Sequence, residues 1–162
     1  MEFLLQKLLS SAIHVIIIGL ITGFIFALVP GKLFLKFQNY YKLFRFEQEG
    51  RFYNKYFKIN IWKDKLPQFS ELTKFGFSKS SLNNVSGEYL EQFYIETMRA
   101  ELSHWFLIMC SPIYFLFAEK ILLWFTIIGN IIGNLPFIMI QRYNRGRILK
   151  LLAHLKKHEQ AK

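Results

Sequence analysis

ETMRAELSHWFLIMCSPIYFLFAEKILLWFTIIGNIIGNLPFIMI, residues 96–140, sets a polar helix start against a long apolar run. Glu96, Arg99, Glu101 and His104 open it, and two hydrophobic stretches follow with only Glu119-Lys120 between them. Each stretch suffices to cross a hydrocarbon core of roughly 30 Å. The charged pair reads as a tight turn, which predicts an antiparallel hairpin of membrane helices at 102–118 and 121–140. A third apolar stretch, AIHVIIIGLITGFIFALV at 12–29, ends at Pro30-Gly31-Lys32 without an A-x-A-like cleavage site. It reads as a retained membrane helix.

Composition agrees. The chain has 162 residues, 52% of them hydrophobic and 18% aromatic, with 18 Phe and a mean hydropathy of +0.21. So small a water-soluble domain would struggle to hide that much apolar surface. The net charge is +10 and the pI about 9.7. Beside such apolar runs, the partner this charge suits is an anionic lipid surface, not nucleic acid. Cys110 is the single cysteine, which excludes an intramolecular disulfide and any multi-cysteine metal site.

Charge orients the chain. Twelve Lys/Arg lie in residues 30–100 and seven after residue 140, against Lys7 before the first span and Lys120 in the hairpin turn. The positive-inside rule places the 30–100 region and the tail in the cytoplasm, with the amino terminus outside. The expected fold is therefore an all-α, multi-pass integral membrane protein. It is one membrane domain over 1–162, with three transmembrane helices and interfacial amphipathic helices on the cytoplasmic side. Residues 30–95 form a basic, aromatic-rich interfacial region. TKFGFSKSSLNNVSGEY (73–89) has loop chemistry, and a helix starts near Ser86 or Gly87 and runs into the second span. The tail, 141–162, is a basic amphipathic helix on the membrane surface.

The chemistry gathers where the hairpin meets the cytoplasm. Glu101 and His104 lie three apart on one helical face, so the carboxylate can hold one imidazole nitrogen and leave the other as a base. The bland alternative is a polar pair anchoring the helix at the interface. Asn130 and Asn134, one turn apart in an apolar helix, should face the protein interior. Pro136 predicts a kink nearby. Arg142, Arg145 and Arg147 cluster at the cytoplasmic edge and suit phosphate binding as well as anchoring. A single E-x-x-H falls short of the paired motifs of di-iron bundles, so no metal is expected.

Three stretches carry a family likeness: FEQEGRFYNKYFKINIWKDKLP (46–67), ETMRAELSHW (96–105) and NLPFIMIQRYNRGR (134–147). Together they resemble the glycosyl-4,4'-diaponeurosporenoate acyltransferase family, small bacterial membrane proteins of staphyloxanthin-type carotenoid synthesis. The resemblance implies transfer of a fatty acyl group from an acyl thioester, with acyl-CoA as donor substrate, to a sugar hydroxyl of a glycosylated carotenoid-like lipid or another glycolipid. The setting it implies is the bacterial cytoplasmic membrane; the charge bias puts the C-terminus in the cytoplasm, and no bound cofactor is expected.

Within that reading His104 is the base, Glu101 orients it, and Asn134 donates to the developing oxyanion. Arg99, Arg142, Tyr143, Asn144, Arg145, Arg147 and Lys63 bind substrate, with Trp62 and Trp105 at headgroup depth. No H-x-x-x-x-D pattern begins at His104, and the chain carries no G-x-S-x-G, Walker or Rossmann fingerprint. The competing class is a non-catalytic membrane subunit that binds lipid or a partner with the same polar cluster. A methyltransferase is a weaker third. Expected partners are membrane lipids, acyl donor and glycolipid acceptor, with no nucleic acid. Three spans make a thin bundle, which leaves monomer and homo-oligomer equally open.

Overall fold

The computed structural model describes residues 2–66, 86–116, 118 and 120–160. Most of the expected 73–89 loop lies outside these residues, as does Glu119 of the expected turn. Every regular element among the described residues is helical.

Helix α1 (Glu2–Leu28) is followed by Pro30, whose fixed φ of −60° leads into the short α2 (Gly31–Lys36). Two 3-10 turns, Gln38–Tyr41 and Arg45–Gly50, lead to α3 (Arg51–Phe57), α4 (Ile59–Trp62) and a last 3-10 turn, Lys63–Lys65. Helix α5 (Gly87–Met109) begins where the sequence placed a helix start and is capped by Ser86, whose Oγ accepts the Tyr89 N–H at 3.2 Å. After the 3-10 turn Ser111–Leu116 comes α6, Lys120–Gln160, which runs 41 residues, about 60 Å at 1.5 Å per residue.

Among the described residues two helices are long and apolar enough to cross a membrane, over Leu5–Leu28 and within Leu122–His158. The middle span expected at 102–118 is not one continuous α-helix. It ends at Met109 because Pro112 disfavours the α conformation at Ser111 and lacks an N–H of its own, and the tighter turn completes the stretch. The tail is likewise not a separate helix but the continuation of α6. Pro136 sits inside that helix without ending it.

Only 6% of the apolar window of α1 is buried, so α1 is not the core helix of a globular domain. Phe3, Ile16, Phe24 and Leu28 point outward, as do Trp124, Phe125 and Ile132 of α6 and Phe115 and Leu116 of the turn between. Helices in lipid present such a surface.

Two small cores join the helices on the charged side. Phe34, Ile95 and Met98 tie α2 to α5, with Phe26 of α1 and Val29 just after it packed against them. Tyr53, Ile59, Ile140 and Tyr143 tie α3 and α4 to α6, with Trp62 and Met139 alongside. The Arg45–Gly50 turn lies directly on α6. Gln48, Glu49 and Gly50 all take left-handed backbone conformations (φ 48°, 58° and 91°). A methyl built on Gly146 would lie 2.1 Å from the Glu49 carbonyl oxygen, and one on Gly50 would lie 2.9 Å from that of Tyr143. These two backbones meet because neither glycine has a side chain.

Candidate active site

Helices α5 and α6 run antiparallel and meet along a polar seam. At its centre His104 Nδ1 lies 2.7 Å from Asn134 Oδ1, and the imidazole stacks on the Phe137 ring at 4.8 Å between centroids. Asn134 Nδ2 donates to the Asn130 carbonyl at 2.7 Å and to Asn130 Oδ1 at 3.0 Å. A backbone carbonyl only accepts, so the Asn134 amide must turn its nitrogen to Asn130 and its oxygen to His104. That oxygen also only accepts, which places the imidazole proton on Nδ1. Nε2 keeps its lone pair, and the His104 hydrogen bond among the described residues is the one at Nδ1. The ring is half-buried in the seam.

One helical stage closer to the termini sits a second cluster. Asn134 and Arg142 are eight residues apart, about 12 Å along α6. Arg142 donates from Nε and Nη2 to the two oxygens of Glu47, both at 2.6 Å, and from Nη1 to Glu101 at 2.8 Å. Arg145 lies 2.6 Å from the other Glu101 oxygen and donates to the Tyr41 carbonyl at 2.9 Å and to Thr97 Oγ1 at 3.2 Å. Tyr53 donates its hydroxyl to Glu47, and so does the Phe44 N–H. Glu47 and Arg145 are wholly buried. Burial alone would raise the Glu47 carboxyl, but the bonds from Arg142, Tyr53 and the Phe44 N–H outweigh it and hold it below the ordinary range. Burial, and then the Glu47 carboxylate, push the Tyr53 phenol up, so it stays a donor.

This geometry corrects several expectations. Glu101 does not orient His104, because its carboxylate faces Arg142 and Arg145, and Asn134 holds the imidazole instead. Nor is Asn134 an oxyanion donor, since its N–H groups are taken by Asn130. Arg142 and Arg145 turn inward and tie α5 and α6 to the segment 41–50, the 40s turn, against the carboxylates of Glu47 and Glu101.

Arg99 sits on another side of α5, paired with Glu96 at 2.5 Å and donating to the Val29 carbonyl at 3.0 Å. Tyr143 and Asn144 are buried. Trp62 donates to the Phe57 carbonyl at 2.8 Å, and Lys63 pairs with Asp64 at 2.5 Å. Arg147 is exposed, its guanidinium over the Tyr143 ring, and Trp105 is partly exposed, its Nε1–H reaching toward Glu101 at 3.4 Å. Among the described residues no group of three His, Cys, Asp or Glu side chains is placed to hold a metal ion.

Glu47 is the residue that sequence reasoning missed. Its signal is composition: Glu47 and Glu49 are the only acids between residues 30 and 63 of a strongly basic stretch.

Residues 37–154 match the sequence model of a family described as glycosyl-4,4'-diaponeurosporenoate acyltransferase. Curated proteins of that name from Staphylococcus aureus strains bovine RF122 / ET3-1 and N315 are each 35% identical over 129 residues, covering 80% of this chain and 78% of the relative. No solved structure matches.

Proposed function

Because the chain belongs to the glycosyl-4,4'-diaponeurosporenoate acyltransferase family and is therefore an acyltransferase, we propose that it esterifies a sugar hydroxyl of a membrane glycolipid. The acceptor is a glycosylated carotenoid or a lipid of similar shape, and the donor is an acyl thioester, acyl-CoA. His104 carries the chemistry. Its Nε2 removes the proton of the sugar hydroxyl as that oxygen attacks the thioester carbonyl. The tetrahedral adduct then expels the thiolate, which takes the proton back from the imidazolium. The observation that supports this most is the Nδ1–H bond to Asn134, which leaves Nε2 as a free base.

The membrane reading follows from lengths. Lys120 and Arg142 are 22 residues apart, about 33 Å along α6, close to the hydrocarbon thickness of a bilayer. The chain crosses three times in this reading: by α1, by the end of α5 with its 3-10 turn, and by α6. Its termini lie on opposite sides, the carboxyl terminus in the cytoplasm. His104 then lies one helical turn of α5 below Glu101 of the charged cluster, level with the upper part of a lipid acceptor. At the rim, exposed Arg147 is the cation on α6 best placed to meet donor phosphates.

The test is acyl transfer in vesicles from labelled acyl-CoA to extracted glycolipid, followed by lipid mass spectrometry. Wild-type protein should yield one glycolipid heavier by a fatty acyl group, and His104→Gln should yield none while inserting normally. Full turnover by that variant would remove the base from the scheme.

A further inference from the structure

Asn130 sits one turn nearer the hairpin tip than Asn134, at 5% exposure, with its side chain saturated. Nδ2 donates to the Leu107 carbonyl and to Ser111 Oγ, both at 2.9 Å. Oδ1 accepts from Asn134 Nδ2 at 3.0 Å and from the Tyr114 hydroxyl at 3.3 Å. All four hydrogen-bonding positions of one amide are thus used, deep in an apolar hairpin where an unmet polar group is costly. A structural staple needs only the bonds to α5. The bond to Asn134 is of another kind, because it leads to the imidazole.

We propose that Asn130 is a positioning residue for acyl transfer: through Asn134 it holds His104 in the Nδ1–H tautomer and so keeps Nε2 basic. The inference rests on His104 acting as the base. Rotating the Asn134 amide by a half turn would set its oxygen against two Asn130 oxygens, one backbone and one side chain. With Oδ1 of residue 130 present, that flip is blocked twice over, and Asn134 can offer His104 only an acceptor. Remove the side chain and one block goes. The amide then samples the flipped state, donates to Nδ1, and selects the Nε2–H tautomer, which cannot take a proton at Nε2. The bonds to Leu107 and Ser111 add a second restraint, since they set the spacing of α5 and α6 where His104 meets Asn134.

The test uses the full chain in nanodiscs with ring-15N histidine, which labels four residues; His104→Gln assigns the signal of interest. Wild-type His104 should show the Nδ1–H pattern. Asn130→Ala should shift part of that signal toward the Nε2–H pattern and lower kcat about 10- to 100-fold with KM for acyl-CoA unchanged. Should Asn130→Ala fail to insert, Ser111→Ala combined with Tyr114→Phe strips two partners from the same amide and should move both readouts the same way by less. An Nε2–H wild-type His104 would overturn the proposal, and so would variants with wild-type spectrum and kcat. If His104→Gln itself turns over normally, the base assignment falls first and the role of Asn130 with it.

Discussion

Arg142 and Glu47, 95 positions apart in the chain, form two parallel hydrogen bonds of 2.6 Å in a buried site. The fork of the guanidinium matches the carboxylate, and the Glu101 carboxylate takes the remaining Nη1. This contact fastens the 40s turn to α6 two helical turns, about 12 Å, beyond Asn134. Glu47→Ala would leave a buried guanidinium short of a counter-charge, at a cost of about 3–5 kcal/mol. Glu47→Gln combined with Arg142→Met should lose less than the two single changes summed. Thermal melting of the four proteins in one detergent checks this; additive losses would mean the pair is not coupled.

The same carboxylate sets an acid limit. Its folded pKa lies below the ordinary 4.5, so its contribution is complete above that value and disappears as pH falls through the folded value. Melting temperature should therefore hold steady from neutral pH down to about 4.5 and decline below it. Glu47→Gln should be less stable at neutral pH and lose less on acidification. Parallel pH curves for the two proteins would contradict this.

Glycines of α6 divide into two kinds. A Cβ on Gly146 would collide with the Glu49 backbone at 2.1 Å, whereas Gly129 and Gly133 have nothing within 4 Å of that position. Gly146→Ala should push the 40s turn off the helix and lower both stability and turnover. Gly129→Ala should change stability by no more than about 1 kcal/mol. Circular-dichroism melts of both variants decide it, and equal effects would count against the backbone contact.

Much of this was legible in advance, and for identifiable reasons. Apolar length announced α1 and α6, Ser86 announced the start of α5, and the isolated polar pair Asn130 and Asn134 announced an inward face. Pro112 was equally visible, yet hydropathy windows average over it, so the α5 end at Met109 was missed. Spacing placed Glu101 within reach of His104 but could not show that Arg142 and Arg145 compete for that carboxylate. Such competition depends on tertiary contacts more than 40 residues away in sequence, where local periodicity is silent.

Arg147 is exposed where its neighbours are buried, and in the proposed scheme it is the arginine of the cluster open to donor phosphates. Arg147→Ala should raise KM for acyl-CoA about 3- to 10-fold and leave kcat alone, the pattern of lost uniform binding. The effect should shrink as salt rises, since exposed charges are screened. Initial rates at two ionic strengths test it. A fall in kcat with KM unchanged would place Arg147 in the chemical step instead.

Glu101 separates two views of the site most sharply. As an orienting carboxylate it would tune His104 directly, and Glu101→Gln would shift the acidic limb of the pH–rate profile. In the observed geometry it faces Arg142 and Arg145, and Asn134 holds the imidazole. Glu101→Gln should then lower the melting temperature, because two buried guanidinium groups share one fewer counter-charge. Turnover that survives should keep the wild-type pH dependence, since the Nδ1–H bond to Asn134 is untouched. Glu101→Ala should be more severe still, as Trp105 and both arginines lose an acceptor together. A pH–rate profile of Glu101→Gln displaced by a full unit would restore the carboxylate–imidazole pairing that the helix spacing first suggested.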